Sequence, residues 1–138
     1  MAVFPVYSNA FKVGASSGTL TTIADMETFS VSIDNGVEEW NPMEAEGWVR
    51  RLLTSKSMTI GINGKRNTSD AGNNYIAGLA WVSGSSAAGV LEWTLPGGAK
   101  LTMDCVFNVS TLGGDSTAVD ALEFEALSNG KPTFTPAP

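Results

Sequence analysis

The run Leu91-Glu92-Trp93-Thr94-Leu95-Pro96-Gly97-Gly98-Ala99-Lys100-Leu101-Thr102-Met103-Asp104-Cys105-Val106-Phe107-Asn108-Val109 decides the fold class. Ahead of Pro-Gly-Gly, apolar Leu91, Trp93 and Leu95 alternate with Glu92 and Thr94. Beyond it, Leu101, Met103, Cys105, Phe107 and Val109 hold every second place. Successive side chains of a strand point to opposite faces, so each half is a strand with one face in a core. The Pro-Gly-Gly between them makes a hairpin. The same period recurs in Phe29, Val31, Ile33 against Thr28, Ser30, Ser32, Asp34. It recurs again in Met58, Ile60, Ile62 and in Leu122, Phe124, Ala126 set against Glu123 and Glu125. Asn35-Gly36 predicts a second hairpin turn, which would put Trp40 back on Val31 across the two strands. Several such strands at short spacing mean a mainly β fold, a sandwich or barrel of antiparallel strands over about residues 19–128.

One segment breaks the period. From Ser69 or Asp70, a good N-cap, to Gly84, a good stop, Tyr75, Ile76, Leu79 and Val82 share one helical stripe, which predicts a flanking helix over about 70–83. Trp81 falls nearly opposite that stripe, so either a partner or a loop of the same chain must cover it. Residues 1–18 have weak periodicity and read as an arm. Residues 38–51 read as a long loop, and residues 129–138, with three of the six prolines, read as an extended tail.

Composition narrows the function. The 138 residues are 43% hydrophobic with four Trp and six Phe, enough for one core. Only 16% are charged, so Ser, Thr, Asn and Gly finish the surface. Such a surface can be covered by a sister molecule cheaply, because buried charges cost far more than buried hydroxyls. The net charge of −6, with eight scattered Lys and Arg, argues against binding nucleic acid by attraction. No stretch reads as a signal peptide or a membrane span, and synthesis in a cytosol is the expectation.

The chain has no His and one Cys. That removes the commonest general base and metal ligand, and with them triads of the usual kind and a zinc site. No cofactor is expected. Glu38-Glu39 and Glu44/Glu46, close to Trp40 and Trp48, are the remaining catalytic candidates, since glycosidases combine paired carboxylates with aromatic platforms. Acidic residues beside Trp in a loop more often solvate it, and catalysis is not expected. A secreted carbohydrate-binding β-sandwich using Trp40, Trp48 and Trp81 is the alternative from another class.

An ordered set of short motifs spans about Met26 to Pro132: Glu39-Trp40-Asn41-Pro42-Met43, Gly47-Trp48 with Arg50-Arg51, Lys56-Ser57-Met58-Thr59-Ile60, Gly64-Lys65-Arg66-Asn67, Asp70-Ala71-Gly72-Asn73-Asn74-Tyr75, Pro96-Gly97-Gly98, Gly113-Gly114-Asp115, Phe124-Glu125 and Gly130-Lys131-Pro132. In this the chain resembles the major tail tube protein of long-tailed bacteriophages, a family related to the inner tubes of contractile tails and type VI secretion machines. The resemblance implies a β-sandwich or barrel with one flanking helix. It further implies rings, six subunits each, stacked into a hollow tube in the virion tail, assembled in the host cytoplasm. The genome passes through without specific binding. The partners it implies are sister subunits and the tape measure, tip and terminator proteins, with no membrane.

If each of six subunits gave four strands to an inner sheet, the ring would measure roughly 115 Å around, with a diameter of about 37 Å before tilt enlarges it. Duplex DNA fits inside. The expected lumen residues are Ser30, Ser32, Asp34, Thr59, Glu92, Thr94 and Asp104, with Glu123 and Glu125 equally acidic. The expected subunit contacts are Trp40, Glu44, Glu46, Trp48, Arg50, Arg51 and Trp81, with the arginines meeting acidic residues of the next subunit.

Overall fold

A computed structural model describes residues 3–137. Its strands are β1 (Ala10–Gly14), β2 (Thr21–Thr22), β3 (Met26–Trp40), β4 (Arg50–Lys65), β5 (Ala88–Thr94), β6 (Lys100–Gly113), β7 (Ala121–Ser128) and β8 (Thr133–Thr135), and its helix, α1, is Ala71–Gly78. All pairings are antiparallel. They form one sheet in the order β2-β1-β5-β6-β7-β4-β3, with β8 attached to β6. The sheet rolls until its two ends approach. Phe29 of β3 meets Phe11 of β1 edge-on at 5.0 Å and Trp93 of β5 at 5.5 Å.

The alternation read from the sequence sets the core. Ile60, Ile62, Leu91, Leu101, Met103, Cys105, Phe107, Leu122, Phe124 and Ala126 are all buried, every one from an apolar phase of a strand. The Pro-Gly-Gly hairpin forms as expected. Gly97 and Gly98 take φ of 95° and 103°, the left-handed region that side chains disfavour, and Leu95 N–H bonds to the Ala99 carbonyl at 2.8 Å.

The helix is shorter than 70–83. Asp70 is its N-cap, its carboxylate accepting from Asn73 N–H at 2.9 Å. Regular helix ends at Gly78, a 3-10 turn covers Leu79–Trp81, and Val82 is extended and exposed. Gly residues lower helix propensity, and Gly78 lies where the regular turns stop. The helix sits tightly on β2: a Cβ on Gly72 would lie 2.5 Å from the Thr22 carbonyl oxygen. Asn73, fully buried, fastens it. Its oxygen accepts from Arg66 Nη1 (2.8 Å) and Asn67 N–H (3.1 Å), and its amide nitrogen donates to the carbonyls of Lys65 (2.9 Å) and Ala24 (3.3 Å).

Four sequence expectations are corrected. Asn35-Gly36 is not a turn: β3 runs straight through it to Trp40 and β4 pairs back from Arg50. The pair instead lies at a bulge, where Gly36 faces Ser55 and Val37 faces Leu53, leaving Thr54 extra. Trp40 therefore does not pack on Val31; it lies nine residues further along the same strand and on the other face. The loop is not 38–51, since only residues 41–49 are outside strands. The arm 1–18 and tail 129–138 each hold a strand, β1 with buried Phe11 and Val13, and β8 against Lys100–Thr102. Residues 1, 2 and 138 of those two segments lie outside the described residues.

Candidate functional site

Two surfaces stand out, and both follow from how far the strands run past the core. β4 pairs with β7 only from Thr59 to Lys65, so Arg50–Met58 has β3 as its one strand neighbour among the described residues. Beyond Ser32, β3 and β4 thus leave the sheet as a free two-stranded ribbon. Eight residue steps from Ser32 to Trp40 make it about 27 Å long. Isolated two-stranded ribbons are marginal in water.

The ribbon's two faces differ. Cross-strand partners share a face, so the side that packs the core at Phe29/Ile62 and Val31/Ile60 continues outward as Ile33/Met58, Asn35/Lys56, Val37/Leu53 and Glu39/Arg51. Met58 still packs against the core, and among the described residues nothing covers the continuation beyond it. Ile33, Val37 and Leu53 remain 51%, 48% and 47% exposed, although the alternation had placed Ile33 in the core. Arg51 meets its own Glu39, Nε to Oε1 at 3.0 Å, rather than standing free for a neighbour. Arg50 lies across from Trp40 on the opposite face.

The tip is an ordered loop. Asn41 Nδ2 donates to the Gly47 carbonyl at 3.2 Å, Ala45 N–H to the Pro42 carbonyl at 3.2 Å, and Trp48 N–H to the Ala45 carbonyl at 3.0 Å. These bonds hold Met43 (97% exposed) and Trp48 (78% exposed) toward solvent, with Glu44 and Glu46 beside them. Trp81, after the helix, is 81% exposed, and the following loop leaves it bare. Trp40 and Trp48 thus gather at the ribbon's end, whereas Trp81 lies on a different element.

The second surface is the outer face of β3-β4-β7-β6. Ser30, Ser32 and Asp34 lie beside Gly61, Thr59 and Ser57; Gly61 lies beside Glu125, and Glu125 beside Asn108. Asn63 and Glu123 share the same face, and Asp104 follows on β6. From Asp34 on β3 across to Asp104 on β6 the face carries those two with Glu123 and Glu125, and its cations stand at the margins, Arg50 beside Trp40 far out on the ribbon and Lys65 and Lys100 at the strand ends. The cations at its ends are already engaged, Lys65 Nζ with Glu27 at 3.4 Å and Lys100 Nζ with Glu92 at 3.6 Å. Glu92 and Thr94 belong to the same outer face but to β5, beside Lys12 and Lys100, where the acidic character ends. Sequence alone treated Glu123 and Glu125 as rivals of the other set because it could not order the strands; in one sheet they are its middle.

Among the described residues no helix is long and apolar enough to cross a membrane. Cys105 is buried, and desolvation first, then neighbouring Asp104, pushes its thiol up to about 12, so it is an inert core residue.

No known family model matches the chain, and no curated protein sequence does. Solved structures match over nearly its whole length. One is a chain described as belonging to the tail of an empty GTA particle, computed with helical refinement in C6 symmetry, with a TM-score of 0.74 and 19% identity over 97% of this chain and 100% of that one. Another is a chain in the virion of a native gene transfer agent particle, with a TM-score of 0.73 and 15% identity over the same shares. At these identities the likeness establishes a common fold.

Proposed function

We propose that this protein is a non-enzymatic structural subunit of a phage-like tail, and that it polymerises as rings stacked into a hollow tube for DNA. The observation that carries the reading is the ribbon. A core-side face that runs some 27 Å past its own core, with half-exposed Ile33, Val37 and Leu53 and an open strand edge on each side, is a surface awaiting a neighbour. The fold shared with chains of tail and virion particles supports the same class, and the C6 symmetry attached to one of them supports six subunits per ring.

The face of β3-β4-β7-β6 is the wall this reading assigns to the lumen. Four strands from each of six subunits give the circumference of roughly 115 Å that duplex DNA needs. Four carboxylates per subunit, with hydroxyls and amides between them, repel a duplex bearing one negative charge per roughly 1.7 Å. That repulsion reaches about 8 Å at physiological salt, so it keeps the duplex off the wall during passage. Glu92 and Thr94 drop out of this wall; Ser30, Ser32, Asp34, Thr59 and Asp104 stay, joined by Glu123 and Glu125. The virion tail is the place of action, with sister subunits and other tail proteins as partners.

Negative-stain microscopy of the purified protein at high concentration tests the proposal. Hollow rods or rings are expected. A protein that stays monomeric when concentrated, and never enters a particle during assembly, ends it. The inner tube of a contractile tail is the nearest alternative in the same structural class, and a sheath gene beside this one would favour it.

A further inference from the structure

We infer that Asn129-Gly130 is a self-modifying site, which converts with time to aspartate and isoaspartate and thereby loosens β8 from the sheet. Asn-Gly steps are open to this reaction because glycine has no side chain to hinder attack by its own amide nitrogen. The sequence holds three of them, Asn35-Gly36, Asn63-Gly64 and Asn129-Gly130. Tertiary structure separates the three. Gly64 is buried in a strand paired on both sides, and a Cβ there would collide with the Asp25 carbonyl oxygen, so this backbone has no room to swing. Asn35-Gly36 lies at a bulge but is still paired across the ribbon, Asn35 with Lys56 and Gly36 with Ser55. Asn129-Gly130 falls outside every strand, and both of its residues are exposed.

Register explains that exposure. β7 and β8 follow one another along the same edge of β6, Ser128 facing Cys105 and Thr133 facing Thr102. From Ser128 to Thr133 is five steps and from Cys105 to Thr102 three, so two surplus residues bulge out of the ladder. Asn129 N–H still reaches the Asp104 carbonyl at 2.8 Å, but Gly130 N–H has no acceptor among the described residues, and its φ is 106°. A nitrogen held in no hydrogen bond is free to attack the carbonyl carbon of the Asn129 side chain. The new N–C bond forms, the C–NH2 bond breaks, and the amide leaves as ammonia with the proton from Gly130. Water then opens the succinimide. Opening at the side-chain carbonyl leaves aspartate, and opening at the main-chain carbonyl leaves isoaspartate, whose side-chain carbon has entered the backbone. Either product puts a new carboxylate beside Asp104, with which Asn129 lines one shallow hollow of about 380 Å³. Isoaspartate also lengthens the link to β8, a strand held by three residue pairs and with Phe134 exposed. Local opening of so short an edge strand is cheap.

Ageing the full chain in dilute, mildly alkaline solution, with each conversion localised by peptide mass spectrometry, tests the site. Asn129 should convert first, into a mixture of aspartate and isoaspartate. Asn63 should convert about tenfold more slowly or less, the factor that roughly 1.4 kcal/mol of extra opening cost imposes. In urea strong enough to unfold the chain, the three steps should convert at similar rates. Amide exchange at Thr133, Phe134 and Thr135 should quicken in the aged protein and stay slow in Asn129→Gln treated alike. Conversion of Asn35 or Asn63 ahead of Asn129, or the same ranking in urea as in buffer, overturns the assignment of the site to the fold. Unchanged exchange in protein converted at Asn129 overturns its hold on β8. Neither readout needs a polymer, so either failure leaves the structural-subunit reading intact.

Discussion

Replacing Val37 and Leu53 together with Thr separates folding from assembly. The two face each other across the ribbon on the side continuous with the core, and each keeps about half of its surface in water. Fully burying a Val or Leu side chain contributes about 1.5–3 kcal/mol, so covering the remaining half contributes about 1 kcal/mol each. Thr keeps the β-branch of Val37 and favours strands at both positions, so backbone effects are small. In the isolated subunit the change removes contacts already half made in a ribbon outside the core, and the loss of folding stability should stay under about 1 kcal/mol. At an interface that covers both side chains, about 2 kcal/mol is lost per contact, which raises the critical concentration roughly thirtyfold. Urea titration of dilute protein measures the first quantity, and sedimentation of polymer against total concentration measures the second. If the urea midpoint fell sharply while polymerisation was unchanged, the stripe would belong to the subunit's own packing, and the reasoning from exposure to interface would be refuted.

The remaining predictions concern the clasp, the wall and the thiol. Asn73→Ala strips a partner from Arg66 Nη1, the Asn67 N–H and the Lys65 and Ala24 carbonyls, and of these four only Arg66 keeps another, the Asn67 carbonyl; a loss of about 3 kcal/mol in urea unfolding is expected, and a loss under about 1 kcal/mol would show the helix is fastened elsewhere. Replacing Asp34, Glu123 and Glu125 together with Lys should leave tubes that assemble but deliver DNA poorly, scored as transduction per assembled particle; undiminished delivery would remove these residues from the lumen. The raised Cys105 value makes stability pH-dependent on the alkaline side only. Below pH 9 both states hold the proton. Between pH 9 and about 12 the unfolded thiol ionises while the folded one does not, so this group's contribution falls by about 1.4 kcal/mol per pH unit, and Cys105→Ala should remove that slope. An unchanged slope in Cys105→Ala would assign it to other groups, Tyr75 among them, whose value burial also raises.

Much of this molecule was legible residue by residue. Period-two alternation located β4 to β7 and most of the core, because burial of one face selects apolar side chains at every second place whatever the strand order. Pro96-Gly97-Gly98 marked its turn because the backbone there needs φ values that few other residues adopt. The helix start was legible to within one residue, Ser69 or Asp70, and the bond from Asn73 N–H to the Asp70 carboxylate decides for Asp70. The absence of His and the scarcity of Lys and Arg narrowed the chemistry without any fold. Asn35-Gly36 misled for an instructive reason: a dipeptide suited to a tight turn also suits a bulge, and a register choice made over β3 and β4 as a whole outweighed the local preference.

Sequence by itself, then, determined the central segments of β3 to β7, which face of each is apolar, and that the surface is hydroxyl-rich and acidic. Tertiary structure alone decided three things. It ordered the strands, and so merged Ser30, Ser32, Asp34, Thr59 and Asp104 with Glu123 and Glu125 into one face whose middle is acidic and whose cations stand at its margins. It set where β7 stops against β4, and thereby turned an apolar phase that reads as core into an exposed ribbon. It also left the rolled sheet open at one seam, making a groove from residues distant in sequence. The physical reason is the same in each case: alternation records that a face is to be buried, but not whether the covering surface belongs to the same chain.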